Sequence, residues 1–462
     1  MNYQQALQLS KPAQHRISRR AAYGRPRENQ PRPLLGASLI ILQGLFFLLA
    51  LPLAAWATAH HTHTTPIAQN STFASQVTFH TLNSKPAVQV TSTTQNPTPA
   101  VQTTRLTPSL QPSTLSAQLD SFLTSQVATD KFSGSVLIAR DDKVIFSNGY
   151  SMADWDDQVS NTPYTKFHVG SLTKQFTAMA ILILQERGKL HVQDALCTYI
   201  PDCPTAWQAV TIQELLTHTS GIPQLDSPPP TSSPQDWLAR YDNVRLAFTA
   251  GSQFSYCNVC YQVLGYVVQQ VSGVPYGVFV QQAIFNRLQM RNTGFDPDYL
   301  SLPDHAVGYQ DWQVKADPDD RPIPPEMSFL YASGLLYSTT EDLYRWNQAL
   351  SQHTLVSQRS LDAMFTPYVS SCPPNGPEEF CPDFSSLEYG YGWFIATEST
   401  HTSQRQLIWH YGALDGFTAY IGRYPDDKVT IIVLSNLQKL DVFALVSNLE
   451  QIIFAEHLTP VK

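Results

Sequence analysis

The spacing of hydrophobic positions along the chain changes several times, and each change marks a different element. Over residues 115–127 apolar side chains recur at Leu115, Leu119, Phe122 and Leu123, the three-and-four spacing of one helix face. Residues 134–139 and 143–147 flank Arg140-Asp141-Asp142, which predicts a β-hairpin. Helical spacing returns over residues 175–184 and stops near Arg187-Gly188-Lys189. Thr211 and Glu214 stand three apart ahead of Leu215 and Leu216, the capping-box signature of a helix start. Further helices are predicted over 261–271, where Leu264, Val267, Val268 and Val271 share a face, and over 276–288 and 340–350. Four strands follow, over 391–397, 406–409, 418–423 and 429–435, and a helix over 442–457 closes the chain. Strands at both ends of a helical middle predict an α+β fold. It comprises one antiparallel sheet flanked by N- and C-terminal helices, with an inserted all-helical lobe.

The first 114 residues break this pattern. Residues 34–59 hold no charged side chain and are long enough to span a bilayer. Residues 1–33 are basic, with seven Lys or Arg against the single acid Glu28. That flank places the N-terminus inside and the bulk of the chain outside. The segment reads as a transmembrane signal anchor or, with Ala57-Thr58-Ala59 as a cleavage site, as a signal peptide whose removal after Ala59 yields a secreted protein. Residues 60–114 are rich in Thr, Ser, Gln and Pro and nearly free of charge, so they read as a disordered linker to the domain of residues 115–462. His60, His61 and His63 lie there without a scaffold that would converge them on a metal.

Charge narrows the partners. Of 29 basic and 37 acidic residues, the first 33 positions take seven and one, which leaves 22 against 36, a net of −14 for the rest. Such a domain is a poor partner for nucleic acid. All six cysteines lie in this outer portion. An even number in an exported chain suggests disulfides. The short separations pair Cys197 with Cys203 and Cys372 with Cys381, leaving Cys257 with Cys260. The competing reading is zinc, whose usual ligand spacings are absent.

The candidate chemistry begins at Ser171-Leu172-Thr173-Lys174, which opens the helix of residues 175–184. Residues three apart share a helix face, so the hydroxyl of Ser171 and the amine of Lys174 point at one spot. An amine is a base only when neutral, and burial or a neighbouring cation favours that form. A helix N-terminus adds unpaired N–H groups and positive potential that suit an oxyanion. Alone the pair is unspecific, because a surface serine and lysine on an ordinary helix share the spacing. Two further clusters change this. In Phe254-Ser255-Tyr256-Cys257-Asn258 the side chains of Tyr256 and Asn258 stand two apart in a turn before a helix. A phenol beside a cationic lysine is biased towards phenolate, and a carboxamide both donates to and accepts from a substrate amide. In His410-Tyr411-Gly412-Ala413, on a strand edge, the glycine admits close backbone approach. There the N–H of Ala413 can pair with that of Ser171 as an oxyanion hole. His410 reads as a base, a substrate-orienting donor or a rim residue.

In this order and spacing, Ser171-x-x-Lys174, Tyr256-x-Asn258 and His410-x-Gly412 resemble the penicillin-recognising serine hydrolases. That group holds the class C β-lactamases, the D-alanyl-D-alanine carboxypeptidases and the family VIII esterases. Leu215-Leu216-Thr217-His218-Thr219-Ser220-Gly221, Arg291-Asn292-Thr293-Gly294-Phe295, Ala332-Ser333-Gly334-Leu335 with Thr340-Glu341-Asp342-Leu343, and Leu434-Ser435-Asn436 extend the resemblance over residues 115–458. It implies a β-lactamase/transpeptidase-like fold and an acyl-enzyme on Ser171. Lys174 would move the proton, Tyr256 would serve as base and then acid, and Asn258, His410, Gly412 and Ala413 would line the substrate site. The implied substrate is a small molecule or peptidoglycan peptide of D-Ala-D-Ala type, a carboxylic ester or a β-lactam, with no cofactor and no metal. Three positions depart from the common pattern. His410 replaces a frequent Lys, Tyr411 a Thr that grips a substrate carboxylate, and Cys257 a Ser. The first two count against efficient β-lactam hydrolysis. A membrane-tethered sensor that acylates without turnover is the alternative, although residues 1–33 hold no sign of a folded output domain.

Overall fold

The computed structural model describes residues 114–225, 233–295, 301–316, 325–371, 386–399 and 404–455. The expected N-terminal tail, the 34–59 segment, nearly all of the linker with His60, His61 and His63, and the Cys372–Cys381 pair lie outside the described residues. Among the described residues no single helix is long and apolar enough to cross a membrane.

Eight antiparallel strands form the central sheet. They are β1 (Gly134–Arg140), β2 (Lys143–Tyr150), β3 (Val369–Ser370), β4 (Ser386–Tyr389), β5 (Phe394–Ser399), β6 (Gln404–Leu414), β7 (Phe417–Tyr424) and β8 (Val429–Ser435), in the spatial order β2-β1-β8-β7-β6-β5-β4-β3. The N-terminal strand β1 joins the C-terminal β8 from Gly134↔Ser435 to Arg140↔Val429, so the two ends of the domain close on each other. Both faces of the sheet are covered, and the two-residue period sorts each strand between two cores. Leu137 and Ala139 of β1 and Ile432 and Leu434 of β8 face the helical lobe. Val136, Ile138, Ile431 and Val433 face the terminal helices α1 (Thr114–Val127) and α6 (Val442–Ala455) through Leu119, Leu123, Leu445, Leu449 and Ile453. Each large apolar side chain fully buried this way contributes about 1.5–3 kcal/mol. A helix cap contributes about 1 kcal/mol. Packing therefore holds α1 and α6 in place.

The lobe is built on α2 (Thr173–Glu186), α3 (Ile212–Leu216), α4 (Asn258–Ser272) and α5 (Thr340–Ser351). Every residue of α2 from Thr173 to Leu184 is buried, which is what a helix apolar around nearly its whole circumference requires. The predicted capping box of α3 is present. Thr211 Oγ1 accepts from Glu214 N at 3.2 Å, and Thr211 N donates to Glu214 Oε2 at 2.7 Å.

Three elements differ from the sequence reading. The strand expected over 391–397 begins only at Phe394 as β5, after a turn in which Gly392 takes φ +77° and packs on the backbone of Lys174 and Gln175, and β4 before that turn is a further strand. The strand expected over 406–409 runs on through Leu414, because β7 pairs with it as far as Leu414↔Phe417. The helix expected over 276–288 begins at Tyr276–Val280 and widens to a π-type turn at Gln281–Phe285 before Asn286–Leu288. Cys197–Cys203 and Cys257–Cys260 are bridged as expected.

Candidate active site

Ser171 sits in a single tight turn, Gly170–Leu172, that runs directly into α2. Gly170 adopts φ +52°, a left-handed conformation that costs a side-chain-bearing residue energy. Thr173 locks the turn, its Oγ1 donating to Gly170 O at 2.7 Å while accepting from Leu336 N at 3.2 Å. The nucleophile candidate is thus held by its own helix and by the segment that follows Ser333. Ser171 is partly exposed, whereas Lys174, in the first turn of α2, is 0% exposed.

Lys174 Nζ lies 3.0 Å from Ser171 Oγ, 2.8 Å from Asn258 Oδ1 and 2.6 Å from Ser333 O. Burial holds its amine well below the ordinary lysine range. Asn258 is the first residue of α4 and Cys257 its N-cap, so the Cys257–Cys260 bridge spans the helix entry. Tyr256 precedes them. Its hydroxyl faces Ser171, and its ring lies under Lys174 Nζ at 4.8 Å from the centroid. Burial pushes this phenol well above its ordinary value, with the Ser171 hydroxyl pulling the other way. The phenolate expected beside a lysine cation is therefore not the resting state. The same dry surroundings push both groups towards their neutral forms.

The strand β6 forms the opposite wall. Its pairing with β5 ends at Phe394↔Trp409, so beyond Trp409 that edge is free to meet the nucleophile turn. The approach is close: a Cβ on Gly412 would stand 2.0 Å from Val169 O and 3.0 Å from Ser171 N, and one on Gly170 2.8 Å from Ala413 N. The backbone segments that carry the Ser171 and Ala413 nitrogens consequently lie against each other. The Tyr411 ring packs edge-on against Phe443 of α6, with centroids 5.4 Å apart.

The structure thus brings together Ser171, Lys174, Tyr256, Asn258, Gly412 and Ala413. His410 stands behind them. Its ring is 0% exposed, and both nitrogens are engaged within the protein, Nδ1 with Tyr411 O at 2.7 Å and Nε2 with Tyr389 Oη at 3.1 Å. Burial lowers it to about 3. Two contributors escaped the sequence reading. Ser333 acts through a carbonyl, which leaves no trace in residue type, and Tyr389 is a tyrosine at a strand end with no motif around it that points to the site. Among the described residues no group of three or more His, Cys, Asp or Glu side chains is placed to hold a metal ion.

The family description Beta-lactamase matches residues 119–452. The chain belongs to the beta-lactamase family. PbpX of Bacillus subtilis (strain 168), provisionally named a penicillin-binding protein, is 32% identical over 317 residues, which cover 69% of this chain and 74% of that protein. The octameric penicillin-binding protein homologue from Pyrococcus abyssi superposes with a TM-score of 0.60 at 27% identity, over 74% of this chain and 80% of its own. A class C beta-lactamase shares the fold with a TM-score of 0.63 at 21% identity, covering 77% of this chain and 99% of its own.

Proposed function

We propose that this beta-lactamase-family protein is a serine hydrolase that forms an acyl-enzyme on Ser171. The observation that carries the reading is the set of partners around Lys174. A neutral amine has two N–H groups and one lone pair. Asn258 Oδ1 and Ser333 O can only accept, so they take the two N–H groups and leave the lone pair facing the Ser171 hydroxyl at 3.0 Å. An ammonium would offer three donors to the same three oxygens, but burial decides for the neutral form.

In the proposed reaction Lys174 takes the hydroxyl proton as Ser171 Oγ bonds to the acyl carbon. The oxyanion that develops faces the N–H groups of Ser171 and Ala413. As the bond to the leaving group breaks, the neutral phenol of Tyr256 protonates it and is reprotonated from Lys174. Water then repeats the sequence in reverse to free Ser171. Asn258 orients Lys174 and receives the substrate amide. His410 supports the wall from behind.

The proposed substrate is a D-amino-acid peptide of D-Ala-D-Ala type or a carboxylic ester, with β-lactams turned over poorly. Position 410 supplies a buried neutral imidazole where a cation would hold a substrate carboxylate, which favours the ester, because a D-Ala-D-Ala peptide and a penicillin both carry a carboxylate beside the scissile bond. The basic residues 1–33 and apolar residues 34–59 support action outside the cytoplasm, tethered or released. The test is kcat/KM for a p-nitrophenyl ester, a D-alanyl-D-alanine peptide and a penicillin on the full chain. Turnover of the ester or the peptide ahead of the penicillin is expected. A single burst without turnover on all three would favour the sensor reading.

A further inference from the structure

Behind the catalytic groups, three buried side chains join the two walls of the cleft. Cys257 N donates to His218 Nδ1 at 3.1 Å, so that nitrogen is bare and, in a neutral ring, Nε2 carries the proton. His218 Nε2 lies 3.2 Å from Tyr389 Oη. At the other end His410 Nδ1 lies 2.7 Å from Tyr411 O, a carbonyl that only accepts, so this nitrogen carries the proton and Nε2 is bare. Nε2 then accepts from Tyr389 Oη at 3.1 Å. Tyr261 adjoins the same hydroxyl, but its own proton goes to Leu216 O at 2.8 Å, and a bare imidazole nitrogen is a stronger acceptor than a phenol oxygen.

One direction therefore runs through every bond, from Cys257 N–H through His218, Tyr389 and His410 to Tyr411 O. It starts on the backbone between Tyr256 and Asn258 and ends on the backbone beside Gly412. We propose that His218, Tyr389 and His410 are positioning residues that set the separation between the Tyr256–Asn258 turn and the strand carrying the Ala413 N–H. All three are 0% exposed, where a satisfied chain is rigid and a broken one leaves a buried polar atom without its partner. His218 also fixes the acid itself, its ring packing on that of Tyr256 with centroids 4.4 Å apart, and its carbonyl accepting from Ser255 N at 2.9 Å. Burial favours the neutral form of both imidazoles, the form the chain requires. This inference rests on the assignment of Tyr256 and Ala413 to the reaction.

The test pairs a variant with a direct view of the protons, on the full chain. Tyr389→Phe removes one oxygen and keeps the ring that packs on Phe254 and Phe394. With a p-nitrophenyl ester, kcat is expected to fall about tenfold to a hundredfold with KM within about twofold, because none of the three rings touches substrate. His410→Asn, which keeps a donor for Tyr411 O and loses the acceptor for Tyr389, should give the same split and serves if the first variant fails to fold. Nitrogen NMR of the native protein should find His218 protonated on Nε2 and His410 on Nδ1. Native kcat in either folded variant, or the opposite tautomer on either ring, overturns the inference. A native protein that turns over no ester yet shows these tautomers overturns instead the assignment on which it rests.

Discussion

Lys174 Nζ lies over the face of the Tyr256 ring, 4.8 Å from its centroid, in a site where burial drives the amine below and the phenol above their ordinary values. The two groups do not share a charge. Each waits in its neutral form, one with a lone pair and the other with a proton, which is what a base and an acid need before the first step.

The neutrality of Lys174 can be undone on purpose. Asn258→Asp places a carboxylate where the carboxamide oxygen lies 2.8 Å from Nζ. An opposite charge at that range favours the ammonium and raises the lysine pKa by about 1–3 units. Activity needs the neutral amine, which exists above its pKa, so the ascending limb of kcat/KM against pH should move to higher pH. At neutral pH the variant should be about tenfold or more slower and recover in alkali. A limb that stays in place would contradict Lys174 as the base.

Gly412→Ala tests the contact between the strand and the nucleophile turn. Its Cβ would stand 2.0 Å from Val169 O, a backbone atom that no rotamer change can move aside. The strand or the turn must shift by on the order of 1 Å, which costs a rate of about a hundredfold and about 1–3 kcal/mol of stability. Steady-state rates and thermal melts of the variant check both.

Three buried histidines set the acid limit of the fold. Burial lowers His168 from 6.5 to about 4 and His410 to about 3, and His218 well below its ordinary value. As pH falls below 6.5 the unfolded chain takes these protons first, so stability present above 6.5 is lost progressively, the His168 share towards about 4 and the His410 share towards about 3. The melting temperature should drop across that window. In His168→Gln the slope should lessen by one proton; an unchanged slope would remove His168 from the account.

The Cys257–Cys260 bridge closes the turn between Tyr256 and Asn258, with both cysteines buried. Reduction under mild denaturant followed by return to buffer should lower kcat, because the helix entry that aims Tyr256 gains freedom. Equal rates for oxidised and reduced protein, with thiols counted, would show that α4 alone holds the turn.

The parts of this design that sequence exposes are those written in side-chain type at fixed spacing. β8 reads directly because Val429–Ser435 is apolar on both faces, and α3 because Thr211 and Glu214 cap it reciprocally. Ser171, Lys174, Tyr256 and Asn258 are legible for the same reason. What stays hidden depends on partners distant in sequence. Ser333 enters through its carbonyl, Tyr389 through a hydroxyl that bonds residues 171 positions before and 21 after it, and the continuation of β6 through His410 to Leu414 through its pairing with β7. Ionisation is hidden most deeply. The local pattern places Lys174 near Tyr256, but burial from every side decides which of them carries charge.

Every step proposed for this site requires Ser171 to be an activated nucleophile. The most direct measurement is the intact mass of the full chain after treatment with a fluorophosphonate, which bonds to activated serines and releases fluoride, beside Ser171→Ala and Lys174→Ala. One phosphonyl group per native chain is expected, none on Ser171→Ala, and slowed labelling by about a hundredfold or more on Lys174→Ala. An adduct that persists in Ser171→Ala, or a native protein that forms none, would contradict it.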